Sequence, residues 1–172
     1  LPIFEILKGF GMEILAYDLY PDPNLDVEYT TLDDLLRRSD VVTLHCPLTN
    51  DSKYIINKNS ISKMKDGVIL VNTSRGALVD TVALIDALRE NKFRGVALDV
   101  YEEEDKYFFE DRSSDIIKDD DLIKLMAFPN VLVTSHQAFF TEESLEAIAK
   151  TTCENLKAVE EGLPLENEVV SK

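Results

Sequence analysis

Three kinds of ionisable side chain follow three apolar, strand-like runs of this sequence. Arg75 lies in the turn after the run that ends at Asn72, the acidic run Glu102–Glu104 follows Val100, and His136 follows the letters NVLVT. Ligands bind beyond the carboxyl ends of strands in open α/β sheets, so we expect the three groups to meet at one rim. Such a set matches what reduction of a 2-oxo acid requires from the protein: a cation to hold the carboxylate, an imidazole to protonate the carbonyl oxygen, and a carboxylate to orient and charge that imidazole.

Each of these groups also has a purely structural interpretation. A single arginine is common in strand-loop-helix units, and an acidic run is usually a solvated surface. His45 ends another strand in an apolar context, where a histidine that only satisfies the fold is the simpler interpretation. For Arg75 and the acidic run, the residues alone leave both interpretations open.

Asp18 ends a further predicted strand and suggests a nucleotide site. An acid at this place in dinucleotide-binding folds accepts hydrogen bonds from the adenosine ribose. Leu19, Tyr20 and Pro21 follow it and provide no cation for a 2′-phosphate, which favours NAD over NADP. An ordinary turn aspartate is the alternative.

The glycine fingerprint of dinucleotide sites does not occur in its required context. Gly9 and Gly11 begin a GxGxx pattern, but Ile14 takes the sixth place. The stretch also follows a helix and precedes a strand, which is the reverse of the required order. We therefore expect the glycine loop, and the strand that leads into it, to precede Leu1.

The elements that must position these groups alternate along the chain. Helices are predicted over 1–8, after residue 31, over 81–91, near 121–126 within a long loop (102–127), and over 141–162. Strands are predicted over 12–17, buried on both faces, and over 40–45, 67–72, 95–100 and 131–134. The centres Val42, Leu70 and Leu98 are equally spaced, as in repeated strand-helix-strand crossovers. The pattern predicts an α/β fold with a doubly wound, Rossmann-like parallel sheet.

Composition limits the class of protein. The 172 residues are 45% hydrophobic, enough for a core, and 33 acidic against 18 basic residues give a net charge of -15. This charge disfavours binding to nucleic acid and to anionic membranes. Cys46 and Cys153 are far apart in the sequence and indicate neither a zinc site nor a disulfide framework. The same cysteine usage fits a reducing cytoplasm, and no apolar run approaches the length of a membrane span. A soluble cytoplasmic protein without a metal is expected.

The motifs ILKGFGM, AYD, LHCPLT, VNTSRGALVD, ALDVYEEE, YFFED and NVLVTSHQAFFT together resemble the D-isomer-specific 2-hydroxyacid dehydrogenases, in particular their D-lactate dehydrogenase branch. The resemblance implies that Arg75 binds the substrate carboxylate and that His136 is the acid/base. The third residue after the tyrosine of DVY, Glu104, would be its partner. Tyr101 and Phe139 would join Arg75 in the substrate pocket.

The same resemblance implies a set of residues that contact NAD. Asp18 would hold the ribose, and Ser52 stands at a cofactor contact where many lactate-type members have Asn. The remaining contacts would come from five further positions, namely Cys46, Pro47, Thr73, Ser74 and Asp99, together with Arg75.

The resemblance further implies a division of the chain. Residues 1–136 would be a partial NAD-binding domain without its first strand and glycine loop, and 137–172 a helical segment that returns to an absent substrate domain. The family is usually dimeric. Without the glycine loop, we expect the 172-residue chain to bind NAD weakly or not at all. We also expect it to self-associate through the apolar stripe of its last helix.

Reduction of pyruvate to D-lactate with NADH is the function that the resemblance implies. Two alternatives remain. One is a dehydrogenase for another small 2-oxo acid, and the other is a non-catalytic module that senses NAD or binds another protein.

Overall fold

The computed structural model of the chain describes residues 2–107 and 116–169. The chain divides into two compact units, residues 1–135 and 136–172. Six strands lie in the described part of the first unit. They are β1 (Leu15–Ala16), β2 (Glu28–Tyr29), β3 (Val41–Leu44), β4 (Val68–Asn72), β5 (Phe93–Leu98) and β6 (Val131–Val133).

The strand order is that of open, doubly wound α/β sheets. Strands β3, β4, β5 and β6 form a parallel sheet in sequential order, and β1 and β2 form a separate parallel pair. In the doubly wound order 3-2-1-4-5-6, strands two and three lie on one side of the first strand and four to six on the other. The observed pairings follow this order with the first strand left out and with one further parallel strand, β6, beside β5, which confirms the predicted fold class.

Five α-helices accompany the strands in the part of the first unit that the structure describes. They are α1 (Pro2–Gly9), α2 (Leu32–Arg38), α3 (Lys58–Lys63), α4 (Thr81–Arg89) and α5 (Asp120–Ala127). Thr31 and Asp80 begin α2 and α4, where their side chains accept the Asp34 and Ala83 amides. Such caps satisfy donors that have no partner inside the helix.

The core lies where the helices cover the sheet. Along β4, Val68, Leu70 and Asn72 are buried while the two residues between them are only half-buried, as the two-residue period of a strand requires. Leu36 of α2 and Leu84 of α4 are buried in the same hydrophobic cluster. The predicted strands at 40–45, 67–72, 95–100 and 131–134 and the predicted helices at 81–91 and 121–126 are confirmed, with ends that differ by a few residues.

Some details of the sequence prediction were wrong. The strand expected over 12–17 is reduced to Leu15–Ala16, which is half-buried rather than buried on both faces. Strand β2 and helix α3 were not predicted, because β2 has only two residues and α3 is mostly polar. The loop after β5 also contains a 3-10 turn at Glu104–Lys106. Of the motif YFFED, residues 108–111 lie outside the described residues.

The second unit is dominated by one helix, α6 (Glu142–Glu161). Its start is capped by Thr141, which accepts the Ser144 amide, and it ends at Gly162 in the left-handed conformation that favours glycine. Before it, Phe139 and Phe140 pack edge to face with ring centroids 6.3 Å apart. In the described residues of either unit, no helix has the length and apolar character needed to cross a bilayer.

Candidate active site

The turn after β4 is built around the side chain of Asn72. This residue ends the strand and is 1% exposed. Its Nδ2 donates to the Arg75 carbonyl at 2.9 Å, and its Oδ1 accepts the Ser74 amide at 3.1 Å. A buried amide with both ends satisfied fixes the backbone around it, so Asn72 determines where the turn presents Arg75.

Arg75 presents its guanidinium to solvent. The backbone is extended, and Nη1 donates to the Ser74 carbonyl at 2.7 Å. Among the described residues, no carboxylate lies within ion-pairing distance of this side chain. The planar fork of donors thus remains available to a bound carboxylate or phosphate.

Gly76 brings the Arg75 turn against the segment that follows β5. A Cβ atom built on Gly76 would lie 2.1 Å from the Tyr101 carbonyl carbon and 2.4 Å from the Glu102 nitrogen. Real Cβ atoms do not come so close to backbone, so only glycine permits this approach. Arg75 and the acidic run therefore lie on two adjoining loops at the carboxyl ends of β4 and β5.

The three carboxylates of the acidic run have different partners. Glu102 accepts the Tyr54 hydroxyl on one oxygen and the Thr81 hydroxyl, at 3.4 Å, on the other. Glu103 pairs with Lys106. Oε2 of Glu104 accepts the Tyr101 amide at 3.0 Å, a charge-assisted hydrogen bond that orients the carboxylate. The acidic run is therefore not a uniformly solvated charge cluster.

Tyr101 is buried, and its hydroxyl points into the protein. It donates to both carboxylate oxygens of Asp119, at 2.9 and 3.0 Å. Burial, together with this hydrogen bond, raises the pKa of Tyr101 well above its usual range. The ring belongs to the hydrophobic core of the first unit, and its hydroxyl ties the segment after β5 to the start of α5.

Besides Arg75, six of the predicted cofactor residues lie in the loops at the carboxyl ends of β1, β3 and β4. Thr73 is exposed in the turn after β4. Ser74 Oγ donates to the Cys46 carbonyl at 2.6 Å. Partial burial raises the pKa of the Cys46 thiol, and the Asp18 carboxylate adds to this shift, which places the end of β1 near the end of β3. Ser52 Oγ donates to the Pro47 carbonyl at 2.7 Å, so its hydroxyl closes the loop after β3.

Asp18 itself is exposed and accepts the Tyr20 amide at 2.8 Å through Oδ1. That bond leaves acceptor capacity on an outward-facing carboxylate, which is what binding of two ribose hydroxyls requires. The exposed residues around Asp18 and Thr73 therefore fit a nucleotide.

Asp99 occupies a different environment from the other cofactor candidates. It is 4% exposed at the end of β5, where its amide donates to the Asn72 carbonyl at 2.9 Å. Its carboxylate accepts the Thr134 hydroxyl at 2.5 Å. Asp99 thus links the ends of β4, β5 and the residue that follows β6.

His136 and Phe139 belong to the second unit. Ser135 and His136 both adopt left-handed backbone conformations, with φ angles of 53° and 55°. Such conformations are uncommon for residues other than glycine and often mark functional positions. His45, in contrast, forms a local hydrogen bond with the Thr43 hydroxyl at 2.9 Å, and partial burial lowers its pKa.

Sequence reasoning did not assign roles to Asn72, Gly76 or Tyr54. An amide that ends an apolar strand is a signal for Asn72, because such a residue has to satisfy the turn. The approach of Gly76 to the Tyr101 peptide and the bond between Tyr54 and Glu102 join segments that are distant in the sequence. No local sequence pattern predicts such contacts.

The parallel sheet, with candidate ligand groups at its carboxyl edge, is that of a dinucleotide-binding α/β domain. Residues 2–138 match the family described as D-isomer specific 2-hydroxyacid dehydrogenase, NAD binding domain. The chain belongs to this family.

Known proteins similar to the chain include several D-lactate dehydrogenases. The D-lactate dehydrogenase of Escherichia coli (strain K12) is 48% identical over 171 residues, which cover 98% of this chain and 52% of that protein. The crystal structure of a D-lactate dehydrogenase from Treponema pallidum has a TM-score of 0.90 and 38% identity, over 96% of this chain and 51% of that one. The D-lactate dehydrogenase of Lactobacillus jensenii, solved with NAD+, has a TM-score of 0.87 and 33% identity, over 99% and 52%. The chain thus spans about half the length of the relatives it matches.

Proposed function

We propose that the protein is an NAD-dependent D-2-hydroxyacid dehydrogenase that interconverts pyruvate and D-lactate. The observation that carries this proposal is Arg75: a solvent-facing guanidinium without an ion-pair partner among the described residues, held by a buried Asn72 beside the loop of Glu104. Family membership and the similar D-lactate dehydrogenases support the reaction class. A reduced nicotinamide supplies the hydride when it is bound.

In this proposal Arg75 binds the carboxylate of pyruvate through its two parallel N–H donors. This contact would fix the orientation of the substrate and leave its carbonyl oxygen to the acid. His136 donates the proton that the oxygen acquires as the carbonyl is reduced, and Glu104 stabilises the protonated imidazole. The reaction balances as pyruvate, NADH and one proton giving D-lactate and NAD+.

The nucleotide is assigned to the ends of β1, β3 and β4. Asp18 would accept the ribose hydroxyls, while Thr73, Ser74, Cys46 and Pro47 line the same edge, with Ser52 and Asp99 as further contacts. Tyr101 and Phe139 complete the proposed substrate pocket with Arg75. We further propose a cytoplasmic homodimer, in which residues 1–136 form part of the NAD-binding domain and 137–172 pack on a substrate domain.

The native gene product should oxidise NADH with pyruvate and yield the D isomer of lactate. Arg75→Gln should raise KM for pyruvate by roughly one to two orders of magnitude, because hydrogen bonds to a charged group contribute about 1.5–3 kcal/mol. Arg94→Gln is the matched control, since Arg94 is exposed on β5, and KM should stay unchanged. Equal KM values in both variants would contradict the assignment of Arg75.

His136→Gln should lower kcat by about 10²–10⁴-fold, the usual contribution of a general acid, while NADH still binds. Full activity in this variant would overturn the role of His136. Stopped assays with a panel of 2-oxo acids separate pyruvate from other substrates. NADH binding without turnover of any member of the panel would instead favour the non-catalytic, NAD-sensing alternative.

A further inference from the structure

Tyr54 has an unusual backbone conformation that the surrounding structure holds in place. Its φ angle is 53°, a left-handed value that costs a bulky residue about 1 kcal/mol or more and persists only where other contacts enforce it. The Tyr54 amide donates to the Ala77 carbonyl at 2.9 Å, and Asn57 Nδ2 donates to the Tyr54 carbonyl at 2.8 Å. Tyr54 is thereby fixed against the turn that follows Arg75.

From this position the Tyr54 hydroxyl donates to Glu102. The hydrogen bond from Tyr54 to the Glu102 carboxylate raises the pKa of the tyrosine to about 12. The protonated hydroxyl is the donor in this hydrogen bond. The other oxygen of Glu102 accepts the Thr81 hydroxyl at 3.4 Å, so the carboxylate is held from the loop after β3 and from the start of α4.

Glu102 lies at the start of the short segment that ends with Glu104. Its own amide nitrogen faces Gly76, where no side chain fits. The preceding residue, Tyr101, donates its amide to Glu104 Oε2 at 3.0 Å. Anchoring Glu102 therefore holds the residue that follows Tyr101, whose amide orients the Glu104 carboxylate. Glu103 has no part in this arrangement, because it pairs with the exposed side chain of Lys106.

We propose that Tyr54 and Glu102 are positioning residues for the reaction. Their hydrogen bond fixes the segment that carries Glu104, and thereby the orientation in which that carboxylate supports the proton donor His136. The proposal rests on the proposed function, in which Glu104 stabilises the protonated imidazole.

The test is Tyr54→Phe in the native gene product, which removes one oxygen and keeps the ring. We expect kcat to fall about 10-fold, a fraction of the contribution of a general acid, while KM for pyruvate and Kd for NADH change less than about 2-fold. The pH profile of kcat/KM should also move. A poorly aligned carboxylate stabilises the imidazolium less, so pyruvate reduction declines at a lower pH than in the wild type.

Glu102→Ala is the second variant, because it removes both acceptor oxygens, and it should reproduce the lower kcat and the shifted profile. Because the two residues act through one hydrogen bond, the double variant should lose little more than either single variant. Glu103→Ala is the matched control, since it removes the adjacent carboxylate in the same way, and its kcat and pH profile should equal those of the wild type.

The outcomes separate this proposal from the one on which it rests. An inactive wild-type protein would overturn both. An active wild type with an unchanged kcat and pH profile in folded Tyr54→Phe would overturn the positioning role alone. A variant whose thermal stability falls while its pH profile stays in place would show a purely structural tyrosine, which also overturns it.

Discussion

Gly76 is the residue at which the two loops of the candidate site meet. Its backbone contacts the peptide between Tyr101 and Glu102 so closely that any side chain would collide with backbone atoms. The collision cannot be relieved by rotating a flexible side chain. The spacing between Arg75 and the Glu104 segment thus depends on a missing methyl group rather than on charge.

Gly76→Ala should lower the free energy of unfolding by about 3 kcal/mol or more, the upper range of overpacking effects, and should raise KM for pyruvate as Arg75 moves. Urea unfolding monitored by circular dichroism measures the first effect. Gly95→Ala is the matched control, because a Cβ on Gly95 would meet its nearest atom at 3.9 Å. A change below about 1 kcal/mol for both variants would contradict the close approach.

Also at the residue scale, the sequence could not distinguish among the three adjacent glutamates. Residue type is the same at all three positions, so only the partners differ. In the structure Glu102 accepts a hydrogen bond from Tyr54, Glu103 forms an ion pair with Lys106, and Glu104 accepts the Tyr101 amide. The selection of Glu104 as the partner of the acid remains a prediction from the family resemblance.

At the scale of elements, one carboxylate connects the end of β5 to the start of α5. Asp119 accepts the amides of Asp121 and Leu122, both at 3.0 Å, and so caps the helix. The same side chain accepts the Tyr101 hydroxyl. Loss of this hydroxyl should therefore loosen α5 from the segment that follows β5.

This contact should make stability depend on alkaline pH. The folded state raises the pKa of Tyr101, whereas an unfolded tyrosine ionises near about pH 10. The stabilisation is fully present below that pH and is lost as the pH rises toward the folded pKa, because the unfolded state then releases a proton that the folded state retains. The difference in unfolding free energy between wild type and Tyr101→Phe should thus shrink from about pH 8 to about pH 11.

Urea titrations at both pH values measure this difference, which other alkaline groups affect equally in the two proteins. Tyr20→Phe is the matched control, since the Tyr20 side chain is 88% exposed and its removal should cost nothing at either pH. A wild-type advantage over Tyr101→Phe that stays constant across this range would refute the coupling between Tyr101 and Asp119.

At the scale of the whole molecule, helix α6 exposes apolar side chains of the kind that proteins usually bury. Ile148, Leu156 and Val159 are all more than half exposed. A contiguous apolar face of this kind promotes association, although the net charge of -15 opposes it through repulsion between chains.

The 172-residue chain should therefore self-associate, and more strongly as salt screens its charge. Sedimentation velocity at several concentrations measures this. Leu156→Glu should reduce the association, whereas Ala147→Glu, which adds the same charge on the opposite side of α6, should reduce it much less. A stable monomer at high salt, or equal effects of the two variants, would contradict a role for this face.

The sequence by itself determined the α/β class, most of the elements of the parallel sheet and the strand ends that carry the candidate groups. These follow from local rules: alternation of apolar residues, helix caps such as Asp80, and the rule that ligand groups follow strands. The resemblance of its motifs added the family, which the comparisons confirm.

Only the tertiary structure decided how those groups are held. The two hydrogen bonds that Glu102 accepts join segments that lie 21 and 48 residues apart in the sequence. The burial of Tyr101 and the contact at Gly76 likewise depend on distant segments. Local propensities contain no information about such pairs, because they arise when the whole sheet and its helices pack. The same reason explains why β1 and β2 were poorly predicted: each consists of two residues, and pairing between them, rather than intrinsic preference, makes them strands.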